Sequence, residues 1–407
     1  MVVIMNIPTK KTRKKKIKLD IILSLILGVI VTVQARSLPG SGLPPALVEA
    51  APMVFGNTST MVITNDGQLW AWGANYFGLF GDWTTKYIPY PVIAMENAVA
   101  VSTNTGEIPN VAGNMLIGVL TSDGTLWTWG PDLRDVGRSP SPGWQPRMSR
   151  RYLTTPLAVM NNVATFSVGS GRILAITSDN VLWSWGRGYI GDGTGGIFTQ
   201  PTTRPRRLME DVIAVSAGNF YNMAITSDGV LWGWGRNNNG ELGDGTTQNR
   251  YTPVKIMDNA AAVSASWHHT MAITSDGVLW GWGANSAGQL GDGTTEHSLT
   301  PIKIMEDVKT VSVGTTHTMA VTSDGVLWGW GSNAAGQLGD GATEIRLTPV
   351  KIMEDVVAVS TGINLTMAVT SDGALWAWGS NWGGQLGDGT TENRHSPVRI
   401  MDDVLLP

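Results

Sequence analysis

Six aspartates recur in glycine-flanked turns: Asp82, Asp192, Asp244, Asp292, Asp340 and Asp388. Carboxylates are the groups that would move protons or hold a hard cation, but this spacing suits neither task. One carboxylate per sequence repeat is not the close pair that glycoside hydrolysis needs. Nor is it the dense alternating ligand set of an EF-hand. An Asp before Gly commonly hydrogen-bonds its own backbone in an Asx turn, and that is the expected role. Weak calcium binding and catalysis are the alternatives. The histidines are His268, His269, His297, His317 and His395. His269 and His317 share a repeat position that holds Ser59, Leu116, Arg172, Tyr221 and Leu365 elsewhere, so no ring of imidazoles is expected. A packed or hydrogen-bonded role at a strand start is expected instead. His268, beside Trp267, departs from the repeat pattern and is a candidate recognition residue. The chain has no Cys, which excludes a thiolate nucleophile, a disulfide framework and a Cys-ligated zinc site. It also lacks H-E-x-x-H, G-x-S-x-G and Walker-type motifs. No catalytic residue, metal or cofactor is expected.

Recognition chemistry is better represented. Tyr76, Phe77, Phe80 and Trp83 crowd one short stretch. The longest irregular segment carries Arg134, Arg138, Trp144, Arg147 and Arg151, and Tyr189 opens a third irregular stretch. Aromatic and Arg side chains dominate interface hot spots. These stretches come from adjacent repeats, so they are expected to form a patch for a protein or glycan partner. Divergent but inert loops are the alternative. Nucleic acid is not expected. Removing residues 1–35 takes away seven of 28 basic and one of 32 acidic groups and leaves a net charge of −10. That sign repels a phosphate backbone.

The elements that must position these residues are set by a repeat. W-x-W-G cores begin at Trp70, Trp127, Trp183, Trp232, Trp280, Trp328 and Trp376. The second tryptophans are Trp72, Trp129, Trp185, Trp234, Trp282, Trp330 and Trp378. The last three intervals are 48 residues, room for about four short strands. In the unit from 306 to 354, Val308 to Val313 reads as one strand and Thr318 to Thr322 as a second. Asp324-Gly325 signals a hairpin turn, Val326 to Trp330 a third strand, and Pro349 to Met353 a fourth. Alternation turns both tryptophans of a core to one side. The residue between them is always small: Ala71, Thr128, Ser184, Gly233, Gly281, Gly329 or Ala377. The indoles are therefore expected to fill the gaps between neighbouring sheets as structural core. The expected fold is all-β: a seven-bladed β-propeller with four-stranded antiparallel blades. Asp403-Val404-Leu405-Leu406 aligns with Asp355-Val356-Val357-Ala358, so the C-terminal segment should complete a strand that begins again near residue 53 and close the ring. A monomer is expected.

The W-x-W-G cores, the run Gly331-Ser332-Asn333-x-x-Gly336-Gln337-Leu338-Gly339 and the run from Gly314 to Gly325 resemble the regulator of chromosome condensation repeat family. The resemblance covers residues 52–407 and is specific, because long patterned units recur. It implies a seven-bladed propeller, and the regular G-D-G-T-T loops look like the family's bacterial exported branch. The eukaryotic founder is a nucleotide exchange factor for a small nuclear GTPase and binds nucleosomes. Another member is a secreted bacterial inhibitor of β-lactamases that binds through loops on one propeller face.

Residues 1–35 carry a basic run from Lys10 to Lys18, an uncharged stretch from Ile21 to Val33, and the triplet Val33-Gln34-Ala35. This is the three-part pattern of a secretory signal. The apolar stretch would span about 20 Å, short of a bilayer's hydrocarbon core. A retained N-terminal membrane anchor and a basic nucleic-acid tail are the alternatives. Residues 36–51 read as a Pro/Gly linker, and 52–407 as the propeller. The expected location is secreted or cell envelope, outside the cytoplasmic membrane. The function expected is an exported, non-catalytic binding scaffold. The alternatives are a lyase or hydrolase with a central-channel site and a GTPase exchange factor.

Overall fold

The computed structural model describes residues 53–55, 59–73, 75, 80, 88–103, 116–131, 152–194 and 202–406. The N-terminal segment and the linker lie outside the described residues. Every regular element in them is a strand, and the strands form seven four-stranded antiparallel sheets. Blade six shows the plan. Val308–Val313, His317–Thr322, Leu327–Gly331 and Arg346–Met353 pair in sequence order as a meander. The first strands of successive blades touch one another in an unbroken cycle, and blade seven's touches blade one's. First strands therefore line the axis and fourth strands form the rim.

The fourth strand starts earlier than the sequence pattern indicates. It runs from Arg346 rather than Pro349, so the proline sits inside it. The ladder is interrupted there, between the Gly329–Val350 and Gly331–Arg346 pairs. An outer edge strand with a local irregularity accommodates a residue that cannot donate a hydrogen bond.

The two tryptophans of each core have different surroundings. Trp72, Trp129, Trp185, Trp234, Trp282, Trp330 and Trp378 are each at most 2% exposed. Their partners Trp70, Trp127, Trp183, Trp232, Trp280, Trp328 and Trp376 are half-buried. Trp70, Trp127, Trp232 and Trp376 donate Nε1–H to the threonine that opens their own hairpin. Trp378 of blade seven packs on Met319, Val321, Leu327 and Leu338 of blade six. The same arrangement seals the ring, with Trp72 of blade one against Met367, Leu375 and Leu386 of blade seven. The small residue between the tryptophans is constrained within its own sheet: a Cβ on Gly329 would stand 2.8 Å from Met319 Sδ.

The closure is a composite strand. Val404 bridges Thr64, and Leu405 N–H donates to the carbonyl of Ile63. Met53, Val54 and Phe55 then pair with Val62, Met61 and Thr60. The axis has a second set of cross-links. Ser102, Ser167, Ser216, Ser264 and Ser312 on the first strands each accept the backbone N–H of the next blade, from Val168, Ala217, Ala265, Val313 and Thr361.

Candidate functional site: the loop face

In a meander, first-to-second and third-to-fourth connections leave from one edge of the blade. Hairpins and blade-to-blade turns leave from the other. The ring therefore has a loop face and a hairpin face. The hairpin face is uniform and acidic. Its hairpins carry Asp66, Asp123, Asp179, Asp228, Asp276, Asp324 and Asp372, and its blade-to-blade turns carry pairs such as Glu306-Asp307 and Glu354-Asp355. A hydrogen bond from the Thr322 hydroxyl, 2.6 Å from Asp324 Oδ1, holds that carboxyl below its usual range.

The regular loops of the other face are built on one Asn–Asp–Arg hub. In blade six, Asn333 Oδ1 accepts Leu338 N–H at 3.0 Å and its Nδ2 donates to Asp340 Oδ1 at 2.9 Å. Asp340 also accepts Ala342 N–H at 3.0 Å and Arg346 Nε at 2.7 Å. Burial pushes the Asp340 carboxyl up, but donation by Arg346, Ala342 and Asn333 outweighs it and the pKa ends below the usual value. Asp244 and Asp388 are paired likewise with Arg250 and Arg394. Asp192 bridges Arg206 at 3.0 Å, and Asp292 receives Asn285 and Thr294. These carboxylates are engaged in shaping their own loops. Among the described residues no group of three His, Asp or Glu side chains is placed to hold a metal.

The hub also aims the loop at the next blade. A Cβ on Gly339 would stand 2.7 Å from Trp378 Nε1, so only glycine lets the loop lie on that indole. The carbonyl of Gln337 then accepts both Trp378 Nε1 at 3.0 Å and Thr366 Oγ1 at 2.7 Å.

The two strand-start histidines are fully buried. His269 Nε2 lies 2.9 Å from Thr318 Oγ1, and His317 Nε2 lies 3.2 Å from Thr366 Oγ1, each across a blade junction. Burial pushes both imidazoles down to about 3, so they are neutral at ordinary pH.

The candidate recognition residues separate into three groups. Phe80 is fully buried: it stands where regular loops have leucine, and its N–H donates to Asn75 as Leu338 does to Asn333. Tyr189 is 4% exposed, occupies the place of Gln337, and takes Asn249 Nδ2 on its hydroxyl at 3.1 Å. Neither ring is presented to a partner, which corrects the sequence expectation: Phe80 packs in the core cluster with Trp129 of blade two, and Tyr189 lies 5.6 Å from the Tyr251 ring of blade four. Trp267 and His268 are half-buried at the junction of blades four and five, edge to face at 5.8 Å. His268 Nδ1 lies 3.8 Å from Oε1 of the fully buried Glu241 and 3.3 Å from Asn239 Nδ2. Tyr76, Phe77, Trp83, Arg134, Arg138, Trp144, Arg147 and Arg151 lie outside the described residues. They belong to the third-to-fourth connections of blades one and two, which begin and end on the loop face.

Two features escaped the sequence reading. Trp382, on the loop of blade seven, is 66% exposed. Arg236 lies over the ring of Phe220, 5.9 Å from its centroid. Column-by-column comparison of the repeats would have found both. Trp382 replaces Asn238, Ser286 and Ala334, and Arg236 replaces Ala284, Ser332 and Ser380. Of the four tryptophans outside the W-x-W-G cores, Trp267 and Trp382 lie in connections of the loop face, and Trp83 and Trp144 fall outside the described residues.

The axis offers little chemistry. The described first strands are built from apolar residues, Ser, Thr and Gly, with Lys309 their only ionisable side chain.

Comparison with known proteins agrees with this architecture. The RCC1-like domain model matches residues 27–367, and the Regulator of chromosome condensation (RCC1) repeat model matches 372–404. The structure is similar to Prp20p of Saccharomyces cerevisiae, with a TM-score of 0.68 and 17% identity over 84% of this chain and 88% of that one. It is similar to human WBSCR16, with a TM-score of 0.67 and 21% identity over 82% and 94%. Among curated proteins, the human E3 ubiquitin-protein ligase HERC2 is 27% identical over 139 residues. That match spans 33% of this chain and 3% of the ligase.

Proposed function

The chain belongs to the RCC1-like domain family, and from that premise we propose that it is a non-catalytic scaffold, exported from the cytoplasm, that docks a protein partner on its loop face. One observation carries the reading. Trp267 and Trp382, the tryptophans outside the repeat cores among the described residues, both stand on the loop face, and the connections whose sequences depart from the repeat run between strand ends of that face, while the hairpins of the opposite face repeat uniformly. Large aromatic groups such as Trp382, standing in water on a rigid frame, suit an interface hot spot. Prp20p, which shares this fold, binds Gsp1p and histones, which favours a protein over a glycan as the partner class.

A central-channel enzyme is the weaker reading. It would need several convergent acid, base or cationic groups from the first strands, and the described strands supply Lys309 alone. Exchange on a GTPase has only the shared fold in its favour. Export rests on the signal-like segment of residues 1–35.

The test is affinity capture from the native extracellular fraction, with N-terminal sequencing of the bait. Three baits are compared: wild type, a loop-face variant (Trp267→Ala with Trp382→Ala and residues 133–150 deleted), and a hairpin-face variant (Asp276, Asp324 and Asp372→Asn). The expected result is a partner lost from the loop-face variant alone. A partner that leaves only with the hairpin changes would sink the proposal.

A further inference from the structure

Lys309 stands apart from its repeat equivalents. The corresponding residues of blades two, three, four, five and seven are Val99, Ala164, Ile213, Ala261 and Val357. Each is the extra residue of a bulge in the first strand, skipped by the pairing register, as Lys309 is between Val308 and Thr310. A bulge frees one residue from the ladder and re-aims its side chain. Five blades use that freedom for an apolar group. Blade six puts an amine there.

The surroundings are unusual for a lysine. It is half-buried and lines a small cavity at the junction with blade five, together with Ala261, Ala262, Ile273, Thr274 and Gly277. Its amine makes no hydrogen bond or ion pair among the described residues. Rim lysines differ: Lys255, Lys303 and Lys351 are paired with Asp258, Glu306 and Glu354. Of the carboxylates on neighbouring elements, Glu306 is taken by Lys303, and Asp276 in the blade-five hairpin is tied to the Thr274 hydroxyl. Asp307 lies in the turn just before the strand. Burial against the apolar wall holds the Lys309 ammonium below its ordinary range, which enlarges the neutral, nucleophilic fraction.

We propose that Lys309 is a covalent modification site, a nucleophilic amine that captures small aldehydes as an imine beside this cavity. The nitrogen lone pair attacks the carbonyl carbon, and a proton passes from nitrogen to the new alkoxide to give a carbinolamine. Loss of water then forms the C=N bond, and hydrolysis reverses it. Amine and aldehyde give imine and water, with no oxidant or reductant consumed. The narrow apolar wall admits a small neutral electrophile and disfavours a charged one.

The test is reductive methylation of the folded protein with formaldehyde and sodium cyanoborohydride, read by mass spectrometry of tryptic peptides. At pH 7, Lys309 should be methylated several-fold faster than Lys255, Lys303 and Lys351. That advantage should shrink towards pH 10, as the pH nears the range in which lysine amines in general give up their protons. Equal or slower labelling at pH 7 would overturn the proposal. So would an advantage unchanged from pH 7 to pH 10, which would mark accessibility rather than nucleophilicity. Lys309→Met, which restores an apolar bulge residue, should fold normally and abolish the fast phase. A fast phase surviving in that variant would also refute the assignment.

Discussion

Two blade junctions solve one packing problem with different chemistry. Between blades five and six, the carbonyl of Gln289 accepts Trp330 Nε1 at 2.9 Å and Thr318 Oγ1 at 2.8 Å. Gln337 and Gln385 repeat this at the next two junctions. Between blades three and four, Tyr189 stands in place of that glutamine and Asn222 in place of the threonine. The Asn222 amide donates to the carbonyl of Tyr189 at 2.8 Å, and Trp234 Nε1 makes no hydrogen bond among the described residues. Beside it lies Arg172, fully buried without a carboxylate. Its donors go to Asn222 Oδ1 at 2.6 Å and to the carbonyls of Asn219, Gly218 and Tyr221 at 2.8, 2.7 and 2.6 Å. Desolvation lowers its pKa to about 9, so it remains charged at neutral pH. What the junctions share is the indole lying on a glycine: a Cβ would stand 2.6 Å from Trp330 Nε1 at Gly291, and 2.7 Å from Trp234 Nε1 at Gly191. Shape complementarity is the constant part of the joint, and the polar part is exchangeable.

The comparison breaks if the indoles at the two junctions are energetically unlike. Trp330→Ala and Trp234→Ala should each destabilise the ring by about 3–5 kcal/mol, because each empties a fully enclosed site. Urea unfolding followed by circular dichroism measures this. A loss under 1 kcal/mol for Trp234→Ala would show that the irregular junction does not depend on its indole.

Acid should distinguish the junctions next. His269 and His317 serve junctions five–six and six–seven, and both have folded-state pKa values lowered to about 3 from 6.5. The unfolded chain then binds more protons than the folded one between these values, so stability falls as pH drops below about 6.5. From pH 6.5 to pH 5 the pair should lose about 3 kcal/mol in total. His269→Gln with His317→Gln should flatten that dependence. Unfolding midpoints measured at both pH values in the two proteins decide the matter, and an equally steep loss in the double variant would refute it.

How much of this was legible follows from what repeats. The seven blades, their meander and the closure through Val404 could be read from spacing, since W-x-W-G and the hairpin turns recur in register. The half-burial of Trp328 beside the full burial of Trp330 could not. Alternation places both on one side of a strand and does not say how far the neighbouring blade covers each. Phe80 and Tyr189 misled for a related reason. An aromatic residue in an irregular loop reads as a recognition residue, yet here each fills a consensus leucine or glutamine place. The serine cross-links at the axis went unread because a serine in a buried strand carries no signal of which neighbour it will meet. The loop-face site was legible as a set of side chains but not as one face, which required the direction of each strand.

Replacing the indole by a smaller ring should expose the polar difference between the junctions. Trp330→Phe removes packing and also leaves the Gln289 carbonyl one donor short. Trp234→Phe removes packing only. The first should cost about 1 kcal/mol more than the second, the net worth of one buried hydrogen bond. Equal costs in matched urea titrations would place the whole contribution of the indole in its shape.

The smallest effect concerns the loop hub, where the repeats already contain the control. Asp340 is paired with Arg346, but in blade five the position equivalent to that arginine is Ser298. Blade five keeps the same Asn–Asp core, with Asn285 Nδ2 on Asp292 Oδ1 at 3.0 Å and Leu290 N–H on Asn285 Oδ1 at 2.9 Å. The arginine is therefore an addition to a loop that already closes. Its side chain is 36% exposed, and ion pairs open to solvent contribute little. Arg346→Ser should lower stability by about 0.5 kcal/mol, fading further in high salt. Asp340→Ala should cost more, because it also unseats Asn333 and the Ala342 N–H. If the two variants lose equal stability in low salt, the ion pair rather than the amide network holds the regular loops, and blade five would then be held by something the other blades lack.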